Sequence, residues 1–232
     1  MGIERVGVIG GGQMGAGIAE VCAKSGVDVV VHEVNDNLAA AAKARVEKSL
    51  AKAVDRGKLD AADRDAALGR LSFVSDLTAM ADRQLVIEAV VESETVKANI
   101  FGQLDTIVTD GDAILASNTS SIPLTRIGQA TSRPGAVLGM HFFNPATVMP
   151  LVEIVHSVRT SDDTAERAAA FASDVLGKVV VHTKDRAGFI VNMLLCPYIF
   201  EAIRMYESGF ATKEDIDAAM VNGAGYPMGP LA

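Results

Sequence analysis

The chain has 232 residues, of which 49% are hydrophobic and 22% charged, a length and composition that allow a large buried core. The formal net charge of −8 argues against nucleic acid and anionic membranes as partners, because both attract basic proteins. The cysteines, Cys22 and Cys196, lack the spacing of a disulfide framework or metal site and are expected to be buried thiols. The first predicted strand begins too early to leave room for a signal peptide, so we expect a cytoplasmic protein. We also expect that the protein binds no metal and no membrane.

Apolar runs typical of strands alternate with helical periodicity as far as Arg186. The predicted strands are Arg5–Ile9, Asp28–Glu33, Leu71–Val74, Leu85–Val90, Ala113–Ser117, Val137–Phe143, Leu151–Val155 and Val179–His182. The predicted helices are Met14–Lys24, Asn37–Arg56, Ala61–Arg70, Glu94–Val108 and one that starts at Pro123, and the alanine-rich stretch 165–172 also favours a helix. This alternation predicts an α/β fold with a Rossmann-type doubly wound sheet.

After Arg186 the pattern is helical only, with segments at Phe189–Ser208 and Lys213–Val221. We therefore predict a sheet domain at residues 1–186 and the start of an all-helical domain at residues 187–232. A pair of apolar helices rarely folds alone, so we expect this pair to pack on the first domain, to pack on a partner subunit, or to belong to an incomplete helical domain.

A glycine-rich turn, Gly10-Gly11-Gly12-Gln13-Met14-Gly15, joins the first predicted strand to the first predicted helix. Gly10 allows the tight turn, Gly12 lets the backbone approach a pyrophosphate, and Gly15 lets helix and strand pack closely. The N-terminus of the helix, at Gln13 and Met14, faces the phosphates. This context predicts a dinucleotide cofactor.

The end of the second predicted strand indicates which dinucleotide is bound. Glu33 lies about twenty residues after the glycine motif, where a carboxylate accepts hydrogen bonds from the adenosine ribose. A carboxylate repels a 2′-phosphate, and the following Val34, Asn35 and Asp36 supply no cation to offset it. The sequence therefore favours NAD over NADP.

A histidine at a strand end suggests what the cofactor oxidises. His141 lies near the end of one predicted strand, and Glu153 lies among apolar residues of the next, where a carboxylate is costly unless paired. A neutral imidazole can take a hydroxyl proton while the adjacent carbon loses hydride, and a carboxylate on its other nitrogen stabilises the imidazolium. We expect this dyad, although a histidine at a strand end is more often a satisfied structural residue.

Ser120 follows the strand Ala113–Ser117 in a Ser-Asn-Thr-Ser-Ser run. The carboxyl edge of an α/β sheet is where ligands bind, so Ser120 is a candidate substrate contact. From the residues alone, the same run is more typical of a turn and helix N-cap than of a substrate contact.

At these residues the chain resembles the 3-hydroxyacyl-CoA dehydrogenase family, and especially its short monofunctional 3-hydroxybutyryl-CoA dehydrogenases. Besides the glycine motif, the resemblance is carried by Ala116–Ser121, His141–Pro145, Leu151–Glu153, Gly188–Asn192 and Tyr226–Pro230. It implies NAD-linked interconversion of 3-hydroxyacyl-CoA and 3-ketoacyl-CoA, with His141 as the acid and base and Glu153 as its orienting partner.

The resemblance also implies roles for polar residues outside the dyad. Ser120 and Asn192 would contact the substrate, and Asn144 would lie near both substrate and cofactor. Glu92, Lys97 and also Ser120 would lie near the nicotinamide end of NAD. Without the resemblance, Glu92 and Lys97 are interpreted as a solvated pair at a helix start, and Asn144 as a turn residue before proline.

The coenzyme A handle needs a basic patch in this acidic protein. The helix after the second strand offers one, and Ser49, Lys52 and Arg56 are its candidate contacts. A solvated helix face, balanced by Glu47 and Asp55, is an equally good explanation of these charges.

The resemblance further implies a homodimer through the helical domain if that domain is complete, because family members continue with further helices that complete the dimerisation domain. Residues at Thr147, Pro150, Ala187 and Met193 depart from the family pattern, but none is a catalytic position. Two alternatives stay open: another hydroxy-acid dehydrogenase that does not need coenzyme A, and a non-catalytic NAD-binding scaffold of the lens crystallin type.

Overall fold

A computed structural model describes residues 2–232 of the chain. The chain divides into two compact units, Met1–Arg186 and Ala187–Ala232. Within residues 2–232, every helix is too short or too polar to serve as a membrane span.

The first unit contains an eight-stranded sheet. Its strands are β1 (Arg5–Ile9), β2 (Asp28–His32), β3 (Leu71–Val74), β4 (Leu85–Glu88), β5 (Ile114–Ser117), β6 (Val137–Phe142), β7 (Leu151–His156) and β8 (Val179–Lys184). They lie in the order β3-β2-β1-β4-β5-β6-β7-β8. All neighbours are parallel except β6 and β7. The chain direction across the sheet reverses between β1 and β4, which is where such folds bind ligands.

Helices connect the strands. They are α1 (Gln13–Lys24), α2 (Asp36–Asp55), α3 (Ala61–Gly69), α4 (Glu94–Ile107), α5 (Leu124–Gly128) and α6 (Asp162–Ala170) in the first unit, with α7 (Val191–Glu207) and α8 (Lys213–Ala224) in the second. Short 3₁₀ helices occur at Leu77–Met80 and Pro134–Ala136, and a π-helical stretch, Phe171–Val175, continues α6.

The central strands form the core of the first unit. Every residue of β4, β5 and β6 is buried, which is typical of strands covered on both faces. Two residues of these otherwise mostly apolar strands are titratable, Glu88 at the end of β4 and His141 in β6. Buried charged groups require partners, so these two positions mark where polar side chains must gather.

The predicted Rossmann-type sheet and helical second segment are confirmed, and the strand ends agree with the prediction to within two residues. One boundary was wrong for a physical reason. The prediction extended β4 to Val90, but the strand ends at Glu88, whose side-chain Oε1 accepts the Val90 N–H at 2.7 Å. This bond turns the backbone out of the sheet.

The second unit consists of α7 and α8. The predicted start of α7 at Phe189 was wrong, because Gly188 and Phe189 have positive φ angles of 83° and 47° and the helix begins at Val191. Thr212 caps α8 by accepting the Asp215 N–H at 3.1 Å. The expectation of a buried Cys196 was also wrong, since this thiol lies on the exposed side of α7.

Candidate active site

His141 and Glu153 face each other on neighbouring strands. They are directly opposite in the antiparallel register of β6 and β7, and His141 Nδ1 lies 2.7 Å from Glu153 Oε2. Both side chains are buried, that of Glu153 completely. A proton on Nδ1 that is donated to this carboxylate fixes the imidazole tautomer, and the carboxylate stabilises the ring when it is protonated. An imidazole and a carboxylate in this geometry can take up and return a proton.

The turn that carries Ser120 is organised by the carboxylate of Glu92. Glu92 Oε1 accepts hydrogen bonds from the backbone N–H groups of Ser120 at 3.0 Å and Ser121 at 3.1 Å, and from the Thr119 hydroxyl. Partial burial acts to raise the pKa of Glu92, but the Thr119 bond, the nearby Lys97 ammonium and the other donors of the turn outweigh it. The pKa of Glu92 is therefore held at about 2. The donors of the turn therefore favour the ionised form of Glu92.

A side-chain hydrogen bond connects the same turn to the strand of the histidine. Asn118 Oδ1 accepts the backbone N–H of Phe142 at 2.8 Å. Ser117 and Gly139 are partners in the parallel register of β5 and β6, so Ser120 and His141 both follow the paired residues toward the carboxyl edge of the sheet. Two of the predicted site residues are thus brought to the same edge by adjacent strands.

Lys97 is buried rather than solvated. Its side chain is 1% exposed, and its Nζ lies 2.7 Å from Glu88 Oε1 and 3.3 Å from Glu92 Oε2. The interpretation of Glu92 and Lys97 as a solvated pair was therefore wrong. The reason is that the Lys97 ammonium, which α4 carries, pairs with the carboxylate of Glu88 at the buried end of β4.

The glycine turn has the geometry that a pyrophosphate needs. Gly10 has a φ of 92°, and a Cβ on Gly15 would overlap the carbonyl oxygen of Gly10. Apart from the adjacent residues, no described residue has an atom within 4 Å of the Cβ position of Gly12, so the backbone is open to a ligand there. Gly12 is also the N-cap of α1, and no side chain of the described residues caps this helix. Its first N–H groups are left to bind an anion.

A cavity of ≈ 340 Å³ adjoins this turn at the ends of β1 and β2. Glu33 lines it and accepts the Gly11 N–H through Oε1 at 2.7 Å, which holds the carboxylate beside the turn. His32 and Asp76 also line the cavity, and burial lowers the pKa of His32. The position of Glu33 fits the hydroxyls of an adenosine ribose and disfavours a 2′-phosphate.

A smaller cavity of ≈ 170 Å³ lies between α1, α2 and the loop after β6. Gln13 and Asn144, both predicted near the cofactor, line it and are joined by a 2.9 Å bond from Gln13 Nε2 to Asn144 Oδ1. Ser49 and the buried Glu20 face the same cavity. Burial raises the pKa of Glu20, and the Ser49 hydroxyl partly offsets this effect. The structure thus brings Ser49 beside two residues of the cofactor group.

The other candidate coenzyme A contacts lie farther along α2. Lys52 is exposed in the last turn of the helix, and Arg56 is exposed at its C-cap. Both side chains are accessible to an anion in solution, as on any solvated helix face. Asn192 belongs to the second unit, where it is half-buried in the first turn of α7.

Comparison with known proteins identifies the family. Residues 5–186 match the model of the 3-hydroxyacyl-CoA dehydrogenase NAD binding domain, and residues 188–232 match the model of the C-terminal domain of the same family. The chain belongs to the 3-hydroxyacyl-CoA dehydrogenase family. NAD is the cofactor of this oxidoreductase family, in agreement with the glycine turn and Glu33.

Individual relatives cover almost all of the chain. It is 57% identical to a 3-hydroxybutyryl-CoA dehydrogenase of Mycobacterium tuberculosis over 229 residues, which are 99% of this chain and 80% of that protein. It is 45% identical to the human mitochondrial hydroxyacyl-coenzyme A dehydrogenase over 99% of this chain and 74% of that protein. The crystal structure of M. tuberculosis FadB2 superposes with a TM-score of 0.97 at 56% identity, covering 99% of this chain and 81% of that one.

Sequence reasoning missed several polar residues that shape this family site. Glu88, Ser117 and Asn118 contact the Ser120 turn or its partners, and Arg45 donates from Nη1 to the Gly11 carbonyl at 2.6 Å. A signal was present for Glu88, because it is the only acidic residue in the apolar run that forms β4. No comparable signal marked Arg45, which is one of several cations along α2.

Proposed function

We propose that this chain catalyses the NAD-linked interconversion of (S)-3-hydroxyacyl-CoA and 3-ketoacyl-CoA, with short substrates such as 3-hydroxybutyryl-CoA and acetoacetyl-CoA. One observation carries the proposal: a buried His141–Glu153 pair joined at 2.7 Å, in the sheet of an NAD binding domain. The 57% identical relative is a 3-hydroxybutyryl-CoA dehydrogenase, which supports a short acyl chain.

The proposed chemistry is a proton transfer coupled to hydride loss. His141 takes the proton of the substrate's 3-hydroxyl group, and the bound NAD supplies the acceptor for the hydride that leaves C3. Glu153 stabilises the imidazolium formed in this direction, and in the reverse direction the imidazolium returns its proton to the ketone oxygen. General acid–base help of this kind is worth about 10²–10⁴ in rate.

The remaining site residues bind and orient. We assign Ser120 and Asn192 to hydrogen bonds with the substrate, Asn144 to both ligands, and Ser49, Lys52 and Arg56 to the coenzyme A handle. The proposed cofactor contacts are Gly10, Gly12, Gln13, Met14, Gly15, Glu33, Glu92, Lys97, Ser120 and Asn144. The bond between Gln13 and Asn144 and the one between Glu92 and the Ser120 turn support this grouping.

Two alternatives make different predictions. A dehydrogenase without need for coenzyme A would reduce free acetoacetate, and a non-catalytic scaffold would bind NADH without turnover. The buried dyad argues against the scaffold, because a His–Glu pair enclosed in an apolar sheet is costly to retain unless it is used or fully satisfied.

The test is NADH oxidation by this chain with acetoacetyl-CoA, run beside free acetoacetate and beside NADPH, and repeated with His141→Ala. We expect turnover with acetoacetyl-CoA and NADH, little with NADPH or free acetoacetate, and loss of turnover in the variant. Turnover of the free acid would favour the first alternative. NADH binding without any turnover would favour the scaffold.

We further propose that the chain forms homodimers through the second unit, binds no nucleic acid and works in the cytoplasm. Large apolar side chains of the second unit are exposed, among them Leu194 at 71% and Phe210 at 77%. A surface of this kind is typical of a protein interface.

The net charge of −8 supports the absence of nucleic acid. Cell fractionation checks the compartment, and a membrane-bound or exported product would contradict it.

A further inference from the structure

A buried ion pair underlies the turn that carries Ser120. Glu88 closes β4 and is completely buried, and Lys97 reaches it from α4 with an Nζ–Oε1 distance of 2.7 Å. Two charges removed from water are stable only when they are paired and when their remaining hydrogen-bonding capacity is used. The partners of Glu88 therefore show what this pair supports.

Both oxygens of Glu88 are engaged at the carboxyl edge of the sheet. Oε1 accepts the Val90 N–H as well as the Lys97 ammonium, and Oε2 accepts the Ser117 hydroxyl at 2.7 Å. Ser117 Oγ in turn accepts the Thr119 N–H at 3.2 Å. Glu88 thus reaches the start of the Ser120 turn through one hydroxyl group.

A second connection runs through Lys97. The ammonium lies 3.3 Å from Glu92 Oε2, while the other oxygen of Glu92 holds the Ser120 and Ser121 N–H groups. The two carboxylates and one ammonium carry a net charge of −1 together. If Glu88 lost its charge, the buried Lys97 would keep only one carboxylate partner among the described residues, and that partner is Glu92.

We propose that Glu88 is a positioning residue of the dehydrogenase site. Because Glu88 pairs with the Lys97 ammonium, Glu92 remains available to bind the N–H groups of the Ser120 turn. Ser120 is thereby fixed at the edge of the sheet where His141 also lies. The inference rests on the proposed function for its kinetic consequences. A role in folding stability alone is the competing explanation, and it predicts no change in ligand affinity or turnover.

The test begins with Glu88→Gln, which keeps the shape of the side chain and removes its charge. We expect kcat/KM with acetoacetyl-CoA to fall about 10- to 100-fold, because a displacement of about 1 Å at a site is enough for a loss of that size. The dissociation constant of NADH, measured by fluorescence titration, should rise as well. Asp105→Asn is the matched control, since Asp105 pairs with the half-buried Arg133 away from the Ser120 turn. It should lower the melting temperature and leave both constants unchanged.

Epistasis separates positioning from stability. If Glu88 acts through Lys97, Glu88→Gln should lower kcat/KM with acetoacetyl-CoA about 10- to 100-fold when Lys97 is present. The same substitution should lower it much less in a Lys97→Met background. Equal losses in both backgrounds would overturn the proposal, as would a lower melting temperature with unchanged kcat, KM and NADH affinity. If Glu88→Gln fails to fold, Ser117→Ala is the alternative variant, because it removes one hydrogen-bond donor to Glu88. It must lower kcat/KM and NADH affinity by smaller factors. Unchanged values of both would overturn the proposal.

Failure of the proposed function is distinguishable from failure of this inference. If the unsubstituted chain binds NADH but does not oxidise it with acetoacetyl-CoA, the proposed function is wrong, and Glu88 is then judged by NADH affinity alone. A weakened affinity in Glu88→Gln, with none in Asp105→Asn, would still support the positioning role. An unchanged affinity would overturn it.

Discussion

Two glutamates near the proposed site hold their partners in different ways. Glu153 is completely buried, and its Oε2 lies 2.7 Å from Nδ1 of His141. Glu92 is 37% exposed and gathers backbone and hydroxyl donors of the Ser120 turn. The first arrangement fits the proposed proton transfer, and the second binds the Ser120 turn through several hydrogen bonds.

The low pKa of Glu92 predicts how its contribution depends on pH. Because its pKa falls from 4.5 to about 2 on folding, its carboxylate stabilises the fold above pH 4.5, and this contribution disappears as pH falls toward about 2. Urea unfolding of Glu92→Gln and of the unsubstituted chain should therefore differ most above pH 4.5 and converge in acid. A constant difference through this range would contradict the prediction.

Some of these residues were predictable, and others were not. His141 and Glu153 stand out in the sequence because each interrupts an apolar strand, and the cost of burying them predicted a pair. The Glu88–Lys97 pair was not predicted, since its two members come from a strand and a helix whose contact depends on how α4 packs. A local pattern shows that a charge lies in an apolar run but does not show which cation will reach it.

At the scale of elements, the approach of α1 to β1 shapes the cofactor turn. The packing leaves no space for a side chain at Gly15, because a Cβ there would overlap the Gly10 carbonyl oxygen. The sequence predicted this turn correctly since motif, strand and helix follow in immediate order. The antiparallel direction of β7 was not predicted, although residues 143–150 are too few for a crossover of about a dozen residues.

Gly15→Ala tests this approach of helix and strand. Overpacking should lower the free energy of unfolding by about 1–3 kcal/mol. It should also weaken NADH binding, because the turn must move away from the pyrophosphate. Gly69→Ala is the matched control, since among residues 2–232, its chain neighbours and own helix backbone aside, no atom lies within 4 Å of its Cβ position at the end of α3. Isothermal titration with NADH and urea unfolding measure both effects, and equal behaviour of the two variants would refute the steric argument.

At the scale of the whole molecule, parallel strands bring distant parts of the chain to one edge. The ends of β1, β2, β4 and β5 place the glycine turn, Glu33, Glu88 and the Ser120 turn along this edge. The order of strands could be inferred from the Rossmann-type pattern, but the depth of burial at each strand end could not. That depth depends on how the helices pack against the sheet.

The proposed dimer is a prediction at the same scale. Sedimentation equilibrium should give twice the chain mass of 24.2 kDa over a range of protein concentrations, because the second unit exposes Leu194, Phe200 and Phe210. A mass of 24.2 kDa at all concentrations would show that these side chains do not mediate self-association.

The most direct test of the central claim is the single-turnover rate of NADH oxidation by acetoacetyl-CoA in Glu153→Gln. Glutamine keeps the size of the side chain but cannot stabilise the imidazolium as a carboxylate does. We predict that the rate falls about 100- to 10,000-fold while the NADH dissociation constant stays unchanged. A rate within a few-fold of the unsubstituted chain would show that the His141–Glu153 pair does not carry the proton transfer.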